Sequence, residues 1–470
     1  MLGLAAFNLL FRLGREGVAE WDESLYAISA WEMLQSHDWI GTRFFGALDY
    51  YNTKPPLNIW LIALTFKAFG VHLWSLRLMS ALSAWLTVAV LQHWARRCFG
   101  AAIALCAGGV LATTFAFVYV HAGRTADADA LFGLLVLLTV VTLWAARDRA
   151  WQGIWLGPIA AATFLLKGTA VFMPLSIVAL VETRREWRRP GRWGALSVAA
   201  LWLIIPVMAW SIARWDLDRW RFFKGLIGTD FFGTIFTVLE GHQGGPLFYA
   251  DILQKHHYDW IAAALFAWLL FPPARDRVRQ LWTAAGRDAS LRWLVLAWVV
   301  ATAVVPSLMQ TKLPWYLNAF YPAFALAVAF SLVHGLDALE RAGAVRRAAF
   351  VAVLVLAFGV AEGKLIWYSL TVRDLGLSAQ GLLVAERGQL AGQRVFRTRW
   401  TRADTFINEA IVRAIRAETV DVPDFLQRSH PGDYLLHAPG LRHDGLIEVR
   451  SNGQLTLYRR VSTDASIPQP

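Results

Sequence analysis

Charge is what this sequence has least of. Only 17% of its 470 residues are Asp, Glu, Lys or Arg, where a soluble globular domain carries about 25%. Disorder, which needs low hydrophobicity together with high charge, is excluded. Cysteine is almost missing: Cys98 and Cys106 are the two, both in or beside an apolar run. No disulfide framework follows from them, so a sizeable exported domain must fold without one. There is no collagen-like repeat. The first residues lack a charged n-region and a small-residue cleavage site, so no cleavable signal peptide is expected.

What remains is apolar. Hydrophobic residues make up 57% of the chain, and there are 24 tryptophans, which suits an interfacial aromatic belt better than a soluble core. A spanning helix needs about 20 apolar residues. Such runs lie near 73–95, 99–121, 130–146, 152–166, 169–182, 194–213, 258–273, 293–309, 315–334 and 347–369. With the short apolar segment 1–13 as a truncated first helix, they predict an all-α polytopic bundle of about 11 transmembrane helices.

The net charge of +11 sits mostly in short clusters between these runs, as topology signals do. Arg96-Arg97, Arg147 with Arg149, the run 184–189, the stretch 275–292, and Arg341 with Arg346-Arg347 fall in alternate loops. The positive-inside rule makes those loops cytoplasmic. Residues 14–58, the first outer loop, and 371–470 then face outward. After residue 370 the apolar runs shorten to strand length, as at Tyr434–His437 and Leu455–Tyr458, with a helical pattern from Ala403 to Ala417. Hence two domains are expected: a transmembrane domain over 1–370 and a small extracytoplasmic α/β domain over 371–470, either a substrate lid or a stabilising cap. The last residues, 462–470, read as a loose end.

Six outward-facing constellations carry chemistry, each with a plain alternative. Asp22 and Glu23 follow the first apolar segment; they are a general base or metal ligand, or the solvated cap of a helix starting near Ser24. Tyr51 and Lys54 precede Pro55-Pro56, which disfavour helix at the lysine. Lys54 is a phosphate clamp or a snorkelling interfacial cation. Between two spans lie Arg124, Asp127 and Asp129, a phosphate-binding set or a pair of helix caps with their counter-ion. Lys167-Gly168 interrupts an apolar stretch, which is costly unless it meets an interface or polar cavity. His242, His256 and His257 lie in an outer loop without compact metal-ligand spacing. Lys312-Leu313-Pro314-Trp315-Tyr316 places one more cation at the outer end of a span. Several cations and a carboxylate pair on one membrane face suit a substrate with a phosphate and a lipid tail.

The order Asp22-Glu23…Tyr26, Met33-Leu34-Gln35-Ser36-His37-Asp38-Trp39, Tyr51…Lys54-Pro55-Pro56-Leu57, Phe69-Gly70…Arg77-Leu78 resembles the GT-C membrane glycosyltransferases. The branch it is most similar to holds the lipid A aminoarabinose transferases and the protein O-mannosyltransferases. Further matches are Arg124…Asp127, Lys167-Gly168, His242…Gly245-Pro246…Tyr249 and Lys312-Leu313-Pro314…Tyr316, over about 1–330. The resemblance implies a sugar donor on a polyprenyl phosphate, used outside the cytoplasmic (inner) membrane. It implies a catalytic carboxylate at Asp22, donor-phosphate contacts from Lys54 and Tyr51, and a role for Tyr316. Two departures stand out. The aminoarabinose branch has arginine where this chain has Leu25, and a zinc-binding glutamate where it has Thr53. A family zinc site, and aminoarabinose or lipid A as substrate, are therefore not carried over.

The expected activity is inverting transfer of a sugar to a lipid, glycan or protein acceptor in the cell envelope. Asp22, assisted by Glu23 or Asp127, serves the acceptor hydroxyl. Lys54, Tyr51, Arg124, Lys167, Lys312 and Tyr316 hold the donor phosphate; Asp129 and His242 are further candidates. No metal ligand set is assigned; a divalent cation, magnesium or manganese, near Asp22 and Glu23 stays open. Nucleic acid is not a partner. The competing readings are a flippase of lipid-linked sugars, for which paired charges near the midplane are expected, and a non-catalytic polyprenyl-phosphate binder.

Overall fold

A computed structural model describes residues 1–184, 187, 190–270, 287–337, 343–372 and 374–462. The basic-cluster residues Arg185, Glu186, Arg188, Arg189 and Arg341, most of 275–292, the end of the 258–273 run and nearly all of the loose end lie outside the described residues.

The N-terminal part is helical: α1 (Leu2–Leu10), α2 (Asp22–Ser36), α3 (Leu57–Phe69), α4 (Leu73–Phe99), α5 (Ala101–Ala112), α6 (Phe115–Tyr119), α7 (Asp129–Asp148), α8 (Leu156–Lys167), α9 (Phe172–Glu182) and α10 (Arg192–Asp218), then Phe248–Leu270, Arg287–Val299, Tyr321–Asp337 and Ala344–Trp367. Among the described residues, six segments are long and apolar enough to cross a membrane: Leu73–Phe99, Asp129–Asp148, Ala150–Glu182, Arg192–Asp218, Ala289–Leu308 and Ala344–Val372. Three shorter apolar helices, Leu57–Phe69, Ala101–Ala112 and Tyr321–Gly335, pack among them.

The expected count of about eleven is not reached by this measure, for local reasons. The 99–121 run breaks after Ala112, where Thr113 and Thr114 turn their hydroxyls to backbone carbonyls. The runs 152–166 and 169–182 form one segment, interrupted at Gly168 (φ +54°). Its halves, α8 and α9, have 12 and 11 residues, each about 16–18 Å at 1.5 Å per residue and too short to span alone.

Interior contacts are close. The turn at Gly100 (φ +94°) folds α5 back on α4, and a Cβ on Gly108 would meet Gln92 at 2.4 Å. Trp94, Trp144, Trp187 and Trp298 are buried in one large apolar cluster. The outer rows of α10 run the other way: Trp202, Ile205 and Ile212 are each more than half exposed. An apolar exterior around an apolar core is what a lipid solvent permits.

At the C-terminus, β3 (Arg394–Arg397), β4 (Ile415–Glu418), β5 (Tyr434–His437), β6 (Leu446–Ser451) and β7 (Thr456–Arg460) form one mixed sheet in the order β4-β3-β5-β7-β6; β1 (Arg43–Phe44) and β2 (Ala47–Leu48) make a hairpin in the first loop. β3 pairs parallel with β4 and β5, while β7 pairs antiparallel with β5 and β6. The α/β character is as expected. The helix is shorter than the Ala403–Ala417 pattern suggests. It runs from Arg402 to Val412 and stops at Arg413, whose φ is +62°; β4 follows. Phe66 of α3 stacks on Phe406 (centroids 6.2 Å apart), within a cluster that also takes Met33, Ile59, Leu383 and Leu436. This sheet domain and the first loop therefore share a core.

Candidate active site

The loop between α1 and α2 ends on a bulky residue in the left-handed region. Trp21 has φ +72°, a conformation that a tryptophan holds only when its surroundings impose it. That turn starts α2 at Asp22. Behind it, Glu23 is 1% exposed. Its carboxylate takes the Arg77 guanidinium at 2.6 and 3.1 Å, and accepts the backbone N–H groups of Ala19 and Ala126. Arg77 also donates to the carbonyls of Leu13, Glu16 and Gly17. A second pair lies beside it. Arg124 donates to Glu16 at 2.6 and 2.9 Å and to the Asn8 carbonyl at 2.8 Å. The structure thus places Glu23 and Arg124 in a buried frame that ties the 14–58 loop to the 120–128 loop. Both are saturated with internal partners, and neither stands in the open cluster.

Asp22 points the other way. Its Oδ2 lies 3.8 Å from Lys54 Nζ and 3.8 Å from His121 Nδ1, and His121 Nδ1 lies 3.4 Å from Asp127. Lys54 donates to the Tyr26 hydroxyl at 3.0 Å. His121 has φ +49° and stacks on Trp315 (centroids 3.7 Å apart). The Lys312-Leu-Pro-Trp-Tyr motif therefore reaches the site through Trp315 and Tyr316. The Lys312 ammonium itself is buried and donates to the Met309 carbonyl at 2.5 Å.

Lys167 arrives by close backbone packing. A Cβ on Gly168 would meet Leu226 at 2.6 Å and Pro55 at 3.3 Å, with Asp230 at 3.9 Å. Glycine at φ +54° is what lets α8 end against the Lys54-Pro55 turn. Lys167 pairs with Asp129 at 2.5 Å. Asp230, in the helical turn Gly225–Gly233, accepts from Thr169 at 3.1 Å. Asp230 and His121 are the site residues that the sequence reading did not assign.

Charge couples these groups. Burial raises the Asp22 carboxyl, but Lys54, His121, Lys167 and Arg402 outweigh it and hold the carboxyl below its ordinary value. Burial lowers His121, yet Asp127, Asp22 and Asp129 push it up to about 9. The Lys54 ammonium is penalised by burial and held well above its ordinary value by Tyr26 and Asp22. Burial raises Tyr316, and the Asp230 charge adds to that; its hydroxyl stays protonated. These shifts favour a charged Asp22 carboxylate, Lys54 ammonium and His121 imidazolium in the cluster.

Four further predicted residues sit elsewhere. Tyr51 is 57% exposed at the outer rim and donates to Glu240 at 2.5 Å. His242 is exposed near Glu240. His256 stacks on Phe115, and His257 meets Tyr321 edge-to-face; neither joins the Asp22 cluster. Among the described residues, the grouping with metal-ligand spacing is Asp22, His121 and Asp127, whose donor atoms all lie within 4.8 Å of one another.

Comparison with known proteins bears on the fold and the family. Residues 53–210 match the model of the dolichyl-phosphate-mannose-protein mannosyltransferase family. ArnT from Cupriavidus metallidurans, crystallised with undecaprenyl phosphate, superposes over 100% of this chain and 98% of its own, with a TM-score of 0.68 at 17% identity. The fold is the ArnT fold. An oligosaccharyltransferase from Archaeoglobus fulgidus, solved with zinc and sulfate, covers 88% of this chain with a TM-score of 0.53 at 12% identity. In sequence the chain resembles the aminoarabinose transferases. It is 29% identical over 349 residues to the undecaprenyl phosphate-alpha-4-amino-4-deoxy-L-arabinose arabinosyl transferase of Pseudomonas aeruginosa. It is 30% identical over 349 residues to that of Pseudomonas savastanoi. The match takes in 71% of this chain and 59% of the P. aeruginosa protein, so the chain spans about three fifths of the length of the curated relatives it matches. With its apolar helices and ArnT fold, the chain is a multi-pass membrane protein.

Proposed function

We propose that this protein is an inverting glycosyltransferase that takes a sugar from a polyprenyl-phosphate donor and passes it to a cell-envelope acceptor. The observation that carries this reading is the half-open Asp22–Lys54–His121 cluster, placed on an ArnT fold at the end of a strained turn. An uncommitted carboxylate within 4 Å of a lysine fits a base beside a leaving phosphate. The donor enters with its polyprenyl chain among the helices. Its phosphate meets Lys54, with Lys167 and the protonated Tyr316 beside it. An acceptor oxygen attacks the anomeric carbon as the bond from that carbon to the phosphate oxygen breaks. The electron pair leaves on the phosphate, where Lys54 stabilises it. The acceptor proton passes to Asp22; an acceptor that is already an anion is only oriented. The cluster faces the outer side of the cytoplasmic membrane in this reading, on the strength of the basic loops at the opposite ends of the helices.

A divalent cation belongs to the same proposal. With His121 giving up its proton to serve as a ligand, Asp22, Asp127, Asp129 and Asp230 set four carboxylates against Lys54 and Lys167, before the donor adds its own negative charge. His121 Nδ1 and Asp127 Oδ1 are buried and lack well-aligned hydrogen bonds. Two carboxylates and an imidazole suit magnesium, manganese or zinc. Asp22, His121 and Asp127 would hold the ion, and it would supply the missing positive charge; Glu23 is taken by Arg77.

The test is transfer by purified protein in lipid vesicles, with a panel of polyprenyl-phosphate sugars and membrane extract as acceptor. Transfer by the wild type and none by Asp22→Asn, with donor binding retained, is expected. Donor movement between leaflets without transfer would replace this reading with a flippase.

A further inference from the structure

Asp230 stands among the groups set beside the donor phosphate, yet the reaction above gives it no step. It lies in the turn Gly225–Gly233, which has the wide hydrogen-bond pattern of a π-helix, a rare form that recurs at functional sites. The turn is wedged into place. A Cβ on Gly225 would meet the Thr53 side chain at 2.4 Å, and Leu226 fills the space beside Gly168. The chain that follows is pinned to the Lys312 loop: the Gln310 and Thr311 N–H groups donate to the Ile235 and Thr234 carbonyls at 3.0 and 3.2 Å. Asp230 Oδ2 itself accepts from the Thr169 hydroxyl at 3.1 Å. Its carboxylate is therefore a fixed feature of the site.

That carboxylate has the wrong sign for capturing an anion. Burial raises the Asp230 carboxyl, and Lys54, the Thr169 hydrogen bond and Lys167 act against that; its charge in turn raises Tyr316. Lys54, Lys167 and Tyr316 are the groups that meet the phosphate, and a negative charge that reaches all three weakens their hold on it.

The transfer step supplies a reason. The donor is a phosphodiester with one negative charge. When the bond from the anomeric carbon to the phosphate oxygen breaks, the electron pair stays on that oxygen and the acceptor proton goes to Asp22. The lipid is left as a phosphate monoester with a charge of about −1.5 to −2 at neutral pH. Two lysines alone would hold this product more tightly than the donor, and slow product release would then limit turnover. A fixed negative charge repels each ligand in proportion to the ligand's own charge, so it weakens the product most.

We propose that Asp230 is a specificity-determining residue that sets the site against the phosphate monoester, lowering its hold on the spent lipid relative to the sugar-bearing donor. The words donor and spent lipid rest on the transferase reading; the preference itself is measured without turnover.

Full-length protein in nanodiscs is titrated with undecaprenyl phosphate and with its methyl ester, which keeps the tail and one charge. Asp230→Asn keeps the shape and can still accept from Thr169. It is expected to gain about 10-fold more affinity for undecaprenyl phosphate than for the methyl ester, the order of one like-charge contact removed at an effective dielectric of about 20. Asp230→Ser, which removes the same charge in a smaller side chain, shows the same gain. Asp230→Glu, and Asp216→Asn at a largely exposed carboxylate, leave the ratio within about twofold, because the first keeps the charge and the second removes a screened one. Equal gains for both lipids, no gain, or a loss of both overturns the proposal and makes Asp230 a strut of the turn, as does failure of both uncharged variants to fold. A wild type that transfers no sugar from any donor overturns the transferase reading instead, and the affinity ratio still decides whether Asp230 reads phosphate charge.

Discussion

The ion pairs behind the site and those around Asp22 both set carboxylates against cations and differ in closure. Arg77–Glu23 and Arg124–Glu16 close to 2.6 Å with side chains at most 2% exposed. Each guanidinium is shared among carboxylate and carbonyl oxygens. Asp22 stands 3.8 Å from each of Lys54 and His121, with a quarter to a third of each side chain exposed. A closed pair has nothing left to offer a substrate and holds loops in place. A loose one keeps lone pairs and protons free. In this chain the difference falls between neighbours, since Asp22 and Glu23 are consecutive residues on opposite sides of one helix start.

That comparison can be broken by substitution. Asp22→Asn is expected to lower transfer by about 10²–10⁴-fold, the range of a general base, with the thermal midpoint unchanged. Loss of folding instead would make Asp22 part of the frame. Glu23→Gln is expected to cost about 3–5 kcal/mol of stability by leaving Arg77 buried without its counter-ion. A variant that unfolds at the wild-type temperature but turns over slowly would return Glu23 to the chemistry.

The loose cluster also titrates. His121 is raised from 6.5 to about 9, so its pairing with Asp127 and Asp22 stabilises the fold fully below pH 6.5. That contribution is lost as pH rises through about 9, and amounts to at most about 3 kcal/mol. Thermal melts at pH 6 and pH 10 should differ more for the wild type than for His121→Asn; equal differences would remove His121 from the coupled set. Lys54→Met should weaken undecaprenyl phosphate binding by about 10–100-fold, the value of a hydrogen bond to a charged group. Unchanged affinity would shift the phosphate to Lys167. His242→Ala, at an exposed position, should stay within about 0.5 kcal/mol and leave transfer unaltered.

Much of the site was legible because charge in an apolar sequence is conspicuous. Lys54 before two prolines and Lys167 inside an apolar run are costly enough to imply a purpose, and both converge on Asp22. The same argument applied to Asp230, a lone acid between Ile227 and Phe231, would have found it. Other features depend on depth, which spacing does not carry. Glu23 and Arg124 look as available as Asp22 and Lys167 until the fold closes over them. Fewer long apolar helices than apolar runs are found among the described residues for a related reason. Apolar runs of membrane length do not reveal the turns at Thr113 and Gly168, where hydroxyl bonding or close backbone approach interrupts a helix without lowering its hydropathy.

Glu20 bonds to residues 382 and 383 positions further along the chain, and Val18 to Gln380. This gives the protein a birth order. At about 5–20 residues per second, the turn that aims Asp22 waits roughly 20–80 s after it leaves the ribosome for its partner strap to be made. Until then the nascent chain has its lysines and its carboxylate but not their alignment. A product truncated or stalled before residue 402 lacks the contacts that Glu20 makes beside the Asp22 turn.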